Sequence, residues 1–196
     1  SFKKNENFWD VGANVGLYSI YAAQIASCNV IAFEPSVFNL ELLAKNIYKN
    51  SLHHKITIFP FSVSNKILIS NFRNTSVANG AAFSTLENKN LRKKQILDDE
   101  CFYQIPTLTL DSIKDTFKVE PPKYLKIDVD GFEYEILMGS NSILDNITSI
   151  LVEIDQRQRT KSKKIFSILK THNFRLAKEG FKEPSSFTVN QIWEKY

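Results

Sequence analysis

This chain has few of the residues that mark a special structural class. Its only two cysteines, Cys28 and Cys101, stand far apart. They suit neither a disulfide framework nor a zinc site, so a reducing compartment is expected. No apolar run approaches the roughly 20 residues of a membrane span, and no secretory leader pattern is visible. A cytoplasmic location is the resulting expectation. The net charge of +4 is mild and scattered. It tolerates an anionic substrate but gives no basic footprint for nucleic acid. Repeats, low-complexity tracts and linkers are also missing, which argues against a second domain. The chain opens Ser-Phe-Lys without an initiator Met. A processed or excised domain lacking an N-terminal neighbour is therefore expected. What remains is ordinary globular composition, 43% hydrophobic and 23% charged over 196 residues, enough for one continuous core.

The most informative stretch is FWDVGANVGLY, Phe8 to Tyr18. An apolar lead-in ends on Asp10, glycines follow at Gly12 and Gly16, and helical spacing then begins at Leu17. The pattern predicts a buried strand, a tight turn and a helix N-terminus, a layout that lets backbone approach a nucleotide-like ligand closely. The spacing D-x-G-x-N-x-G differs from the G-x-G-x-x-G of dinucleotide binders, with Asn14 where a second glycine could sit. An acid at the strand exit suits a ligand with a cationic amine, such as S-adenosylmethionine, better than a pyrophosphate. A second acid, Glu34, ends the run NVIAFE before Pro35, 22 residues beyond Gly12. At that distance in nucleoside-binding α/β folds an acid accepts both ribose hydroxyls.

Strands and helices alternate from there, predicting a mostly parallel sheet covered on both faces. Expected strands are 8–11, 30–34, 55–64, 107–110, 124–129 and 150–154; expected helices are 17–26, 38–49, 111–117 (capped by Asp111) and 163–172. Further β structure is expected over 67–71 and 82–85, within a β/loop insertion around 66–105. The charge-rich stretch 91–100 reads as a solvated face. Phe174–Lys178 and Thr188–Trp193 have no helix between them, so they are expected to form an antiparallel pair at a sheet edge.

A second acidic cluster lies in YLKIDVDGFE, Tyr124 to Glu133. Carboxyl ends of parallel strands face the ligand crevice, which puts Asp10, Glu34, Asp128 and Glu153 along one rim. Alternation places Lys126, Asp128 and Asp130 on one side of the strand. An acid among acids can hold a raised pKa and accept a hydroxyl proton, or help hold a divalent metal. Glu133 suits a helix N-terminus equally well.

The blocks FWDVGANVGLYSIYAA, VIAFEPSVFNLELLAKNI, FSVSN, LTLDSI, YLKIDVDGFEYEILMGS and LVEI occur in that order. Together they resemble the FkbM-type S-adenosylmethionine-dependent methyltransferases. The resemblance implies a single Rossmann-like class I domain over residues 1–196, with an antiparallel last strand. It implies a cofactor loop at Asp10, Gly12, Ala13, Asn14 and Gly16, and a ribose acid at Glu34 beside Pro35. The adenine side falls near Ser62 and Val63, and Asp128 lies at the site. The family's usual K-I-D-x-E-G-x-E carries Asp130 in place of its first Glu here, and its frequent Glu-Ile-His reads Glu153-Ile154-Asp155.

The expected reaction is O-methylation of a hydroxyl on a saccharide, glycolipid or related natural product. Asp128 and then Glu153 are the candidate bases. A divalent metal is conceivable but not predicted, and the sequence leaves the oligomeric state open. His53, His54 and His172 are expected to be solvated. Phe72 and Phe83 could stack on a sugar or simply cover the sheet. A NAD-binding oxidoreductase is disfavoured by the glycine spacing and the lack of a Tyr-Lys pair. A nucleic-acid methyltransferase is disfavoured because Pro121-Pro122 lacks the leading amide of an N/D-P-P-Y/F motif. A non-catalytic cofactor-binding module is the third rival.

Overall fold

A computed structural model describes residues 3–74, 85–86, 101–180 and 187–196. In chain order the first half comprises β1 (Asn7–Val11), α1 (Leu17–Ala26), β2 (Asn29–Phe33), α2 (Val37–Lys49), β3 (Ile56–Phe59), β4 (Ser62–Val63), β5 (Leu68–Asn74) and β6 (Thr85–Leu86). Next come β7 (Cys101–Leu108), α3 (Leu110–Phe117), β8 (Tyr124–Ile127), α4 (Glu133–Met138) and α5 (Asn141–Leu144). The chain closes with β9 (Ser149–Asp155), α6 (Arg159–Thr171), β10 (Phe174–Glu179) and β11 (Thr188–Lys195).

Seven strands form the main sheet in the order β10-β11-β9-β8-β1-β2-β3. The central pairs are parallel, whereas β11 runs antiparallel to both β9 and β10. Alternation along β1 sorts the two cores. Phe8 joins Ala22, Ala23, Val30, Leu43 and Ile47 on the α1/α2 side, while Trp9 and Val11 join Leu125, Ile127, Ile136 and Leu169 on the other. The result is an α/β mixed sheet with helices on both faces.

Helix α1 inverts the simple amphipathic reading. Its large residues Leu17, Tyr21 and Ile25 are exposed, and its buried face is Ser19, Ala22, Ala23 and Ala26. Small side chains let the helix lie close over the sheet. The single strand expected over 55–64 is two strands in different sheets, β3 and β4. Between them Pro60 offers no N–H for a ladder. Strand β4 starts a second sheet of order β4-β7-β5-β6, in the region where an insertion was expected. The readings for 75–84 and 87–100, including Phe83, lie outside the described residues.

Helix α3 is capped by Thr109, whose hydroxyl accepts from the Ser112 N–H while Ser112 Oγ accepts from the Thr109 N–H. Asp111, the expected cap, reaches across instead to the backbone N–H groups of Ser142 and Ile143 at the start of α5. Strand β8 ends at Ile127, so Asp128 and Asp130 sit in the loop after it rather than on the strand.

Candidate functional site

The carboxyl ends of β1, β2, β8 and β9 open onto a cavity of about 660 Å³. Its first wall is the loop after β1. Gly12 has φ +79°, and a Cβ there would collide with the Asp128 backbone carbonyl. Asn14 also takes a left-handed conformation, φ +50°, which asparagine tolerates better than most residues. The loop is tied to the end of β2, since the Gly12 and Ala13 N–H groups both donate to the Phe33 carbonyl at 3.0 Å.

Glu34 is 4% exposed yet lines the cavity. Its Oε2 accepts from the Asn14 N–H at 2.7 Å and its Oε1 from the Ser36 N–H at 2.8 Å. Burial raises its pKa, opposed by those N–H groups and by Asn39. Each oxygen keeps a lone pair for a further donor, so a vicinal diol fits. Asn14 Oδ1, on the same wall, is buried without a hydrogen-bond partner. A narrow glycine turn, a buried acid and an unmatched amide oxygen beside a cavity of this size suit an adenosine-type cofactor. Gly12, Ala13, Asn14, Glu34, Pro35, Ser62 and Val63 all line it.

Two expected cofactor residues do not line it. Asp10 is fully buried and points toward α1, where its carboxylate accepts from Ser19 Oγ at 2.6 Å and pairs with Lys126 Nζ at 3.2 Å. It has no face on the cavity, so it is not available to a ligand amine. Gly16 stands behind the loop at the start of α1, where a Cβ would press on Leu43. Its need for glycine is one of backbone conformation and helix packing.

Lys126 was the residue that strand reading passed over. A lysine inside the apolar run YLKI was the available signal, because a buried charge requires partners. Its Nζ donates to the Gly12 carbonyl at 2.9 Å and pairs with Asp10 and, at 3.5 Å, with Asp128. Desolvation pulls its pKa down, but Asp10 and Asp128 outweigh that and hold it raised.

Beyond Asp128 the wall continues with Asp130, Phe132, Glu153, Arg157, Phe187 and Thr188. Glu153 is half-buried, with a pKa raised to about 6 by burial; Asp128, Glu133 and Asp130 add to the rise, and a Thr188 hydrogen bond opposes it. Glu133 is buried and takes the Gly131 N–H at 3.0 Å, so it folds the loop over 128–131. Phe72, expected to be exposed, is 3% exposed and packs on Tyr103 while still meeting the cavity. The histidines are all remote: His53 and His54 are exposed at the opposite rim, and His172 pairs with Asp145. Among the described residues no cluster of three or more His, Cys, Asp or Glu could hold a metal ion, and no helix is long and apolar enough to cross a membrane.

The family model described as "Methyltransferase FkbM domain" matches residues 10–176. The chain belongs to the FkbM methyltransferase family. A curated relative, the hexuronic acid methyltransferase AglP of Haloferax volcanii, is 26% identical over 155 residues, covering 78% of this chain and 57% of AglP. The chain thus spans little more than half of that relative. A crystal structure of methyltransferase FkbM from Methylobacillus flagellatus KT superposes with TM-score 0.70 at 14% identity, covering 98% of this chain and 44% of that one. The structure of M. capricolum TrmK, solved with S-adenosyl-homocysteine, gives TM-score 0.54 at 14% identity, with 99% and 64% covered. At such identities the likeness is one of fold. It agrees with the FkbM membership and with a methyltransferase-like α/β sheet.

Proposed function

We propose that this FkbM-family chain is an S-adenosylmethionine-dependent O-methyltransferase of the class I Rossmann-like type, acting in the cytoplasm on a hydroxyl of a saccharide, glycolipid or related natural product. The observation that carries the reading is one cavity with Glu34 at one end and Glu153 at the other. When bound, S-adenosylmethionine supplies a methyl group already activated on a sulfonium. Gly12, Ala13 and Asn14 give backbone against it, Glu34 takes the ribose hydroxyls, and Ser62 and Val63 flank the adenine.

Aligning the acceptor oxygen with the methyl group does most of the work, since positioning alone is worth roughly 7–11 kcal/mol in favourable cases. Glu153 takes the acceptor O–H proton as the new C–O bond forms, and its pKa of about 6 suits a base at neutral pH. Asp128, clamped by Lys126, is the weaker candidate for that role and helps shape the cofactor end instead. The saccharide assignment draws support from the hexuronic acid acceptor in the name of the archaeal relative.

The test is calorimetry with S-adenosylmethionine and NAD, followed by an acceptor panel scored for S-adenosylhomocysteine release and a methyl mass shift. Binding of the sulfonium cofactor with turnover on a glycoside supports the assignment. NAD binding alone would overturn it, and cofactor binding without turnover on any acceptor would make the chain a non-catalytic module.

A further inference from the structure

Beyond the glycine loop, the cavity wall presents the carboxyls of Asp128, Asp130 and Glu153 together with the rings of Phe132 and Phe187. Among the described residues, two cations reach this stretch of wall, Lys126 and Arg157. Both are already engaged. Lys126 is buried, and its three protons are matched by the Gly12 carbonyl, Asp10 and Asp128. Arg157 lies over the Phe187 ring at 4.7 Å, and its side-on edge is forked onto Asp155, with Nε 3.0 Å and Nη2 2.8 Å from the two carboxylate oxygens.

Asp155 does not line the cavity, so its task toward the site is indirect. The Arg157 side chain holds its carboxyl down at about 2, so it stays ionised at any working pH. A fork of this kind is the arrangement by which arginine would otherwise capture a ligand carboxylate. Here the protein supplies that carboxylate itself.

We propose that the acceptor's reacting unit is an uncharged polyhydroxylated ring, a neutral sugar rather than a uronate, and that the Asp155–Arg157 pair sets this choice. The inference rests on the methyltransferase reading above and narrows its substrate. Sugar hydroxyls are donors, and carboxylates accept from them in charge-assisted bonds. The apolar faces of a sugar ring match the Phe132 and Phe187 rings, in the usual mix of apolar wall and few polar groups. A carboxylate on the acceptor would instead add a negative charge beside three acids with no uncommitted cation to meet it. It would also push Glu153 further toward its protonated form, removing the base that the reaction needs. A site that sets like charges against a competitor gains specificity by rejection.

The experiment compares matched pairs of acceptors that differ only at C6, such as methyl glucoside with methyl glucuronide and methyl galactoside with methyl galacturonide. Wild-type protein and Asp155→Asn are assayed for S-adenosylhomocysteine release and product mass. Wild type is expected to favour the neutral partner by roughly tenfold or more in kcat/KM, the scale of one like-charge clash. Asp155→Asn frees the guanidinium edge, so turnover of the uronate should rise and the ratio should narrow several-fold. A wild-type preference for the uronate overturns the inference and leaves the methyltransferase reading standing, as does a ratio unmoved in a folded Asp155→Asn protein. The wild-type ratio decides the matter even if the variant does not fold. No turnover on any member of the panel, with S-adenosylmethionine bound, would overturn both readings.

Discussion

Lys126 stands directly across from Asp10 on the neighbouring parallel strand, its Nζ 3.2 Å from the carboxylate and both side chains shut away from solvent. The pair ties the sheet's centre to the glycine turn, because the same Nζ holds the Gly12 carbonyl. Removing one partner strands a buried charge, which costs about 3–5 kcal/mol. Lys126→Met should therefore lower stability by that order in urea unfolding. Adding Asp10→Asn to Lys126→Met should recover much of the loss. Additive losses in the double variant would show that the two side chains do not act as a pair.

Glu34 serves the fold and the ligand at once, since it anchors the Asn14 and Ser36 backbone. Glu34→Gln keeps the shape and removes the charge, so it isolates the ligand contribution. Losing one or two charge-assisted bonds of about 1.5–3 kcal/mol each predicts at least a tenfold weaker S-adenosylmethionine affinity by calorimetry. Glu34→Ala should also lower the melting temperature, because the loop loses its anchor. Unchanged affinity in Glu34→Gln would remove the ribose assignment.

The raised pKa of Glu153 has two measurable signs. As a base it must be ionised, so kcat should climb with pH through about 6 and level off above. In Glu153→Gln that rise should vanish and kcat should fall by roughly 10²–10⁴. Stability moves the other way. The folded protein holds this proton more tightly than the unfolded chain, so its stabilising contribution is full below the ordinary carboxyl value of 4.5 and is lost as pH rises through about 6. At neutral pH Glu153→Gln should thus melt no lower than wild type. A clear drop in its melting temperature would mean that Glu153 serves packing rather than chemistry.

Gly12→Ala tests the turn. The substitution sets a methyl against the Asp128 carbonyl at a backbone angle that side chains rarely adopt. Loss should exceed the ~1 kcal/mol of a simple conformational penalty. Cofactor binding should fail even where the protein still folds. Retention of near-normal affinity would show that the loop relaxes freely.

Tyr103 links the small sheet to the cofactor end, its hydroxyl donating to the Pro35 carbonyl at 3.1 Å and accepting from the Val37 N–H at 3.0 Å. Tyr103→Phe deletes both bonds but keeps the ring on Phe72. Each bond is worth about 0.5–1.5 kcal/mol, so S-adenosylmethionine affinity should drop several-fold. The melting temperature should change little, and unchanged affinity would detach the small sheet from cofactor binding.

What could be read from residues alone was local in sequence. Gly12, Asn14 and Glu34 announce themselves because a glycine turn and an acid at the next strand exit are short patterns with a chemical reason. Asp10 misled for the same reason. Its neighbours suggested an acid facing a ligand, whereas its partner Lys126 enters only through the pairing of β1 with β8, more than a hundred residues on. Helix α1 misled because hydrophobicity ranks Leu17 and Tyr21 above Ala22 and Ala26, while close packing on a sheet prefers the small residues. Arg157 and Phe187 gave no sequence signal, being loop residues brought together by the antiparallel return of β11 onto β9. Thr109 was legible in hindsight, since a Thr three residues before a Ser can close a reciprocal cap.

The outermost strand has a consequence for how the molecule keeps to itself. After its first residue, every position of β10 meets solvent, and Arg175, Lys178 and Glu179 populate that border. A bulge between Leu176 and Lys178 disturbs its ladder with β11. Mixed charge and an uneven backbone make a poor template for a foreign strand. The open side of the main sheet is thereby protected against fibrous self-association.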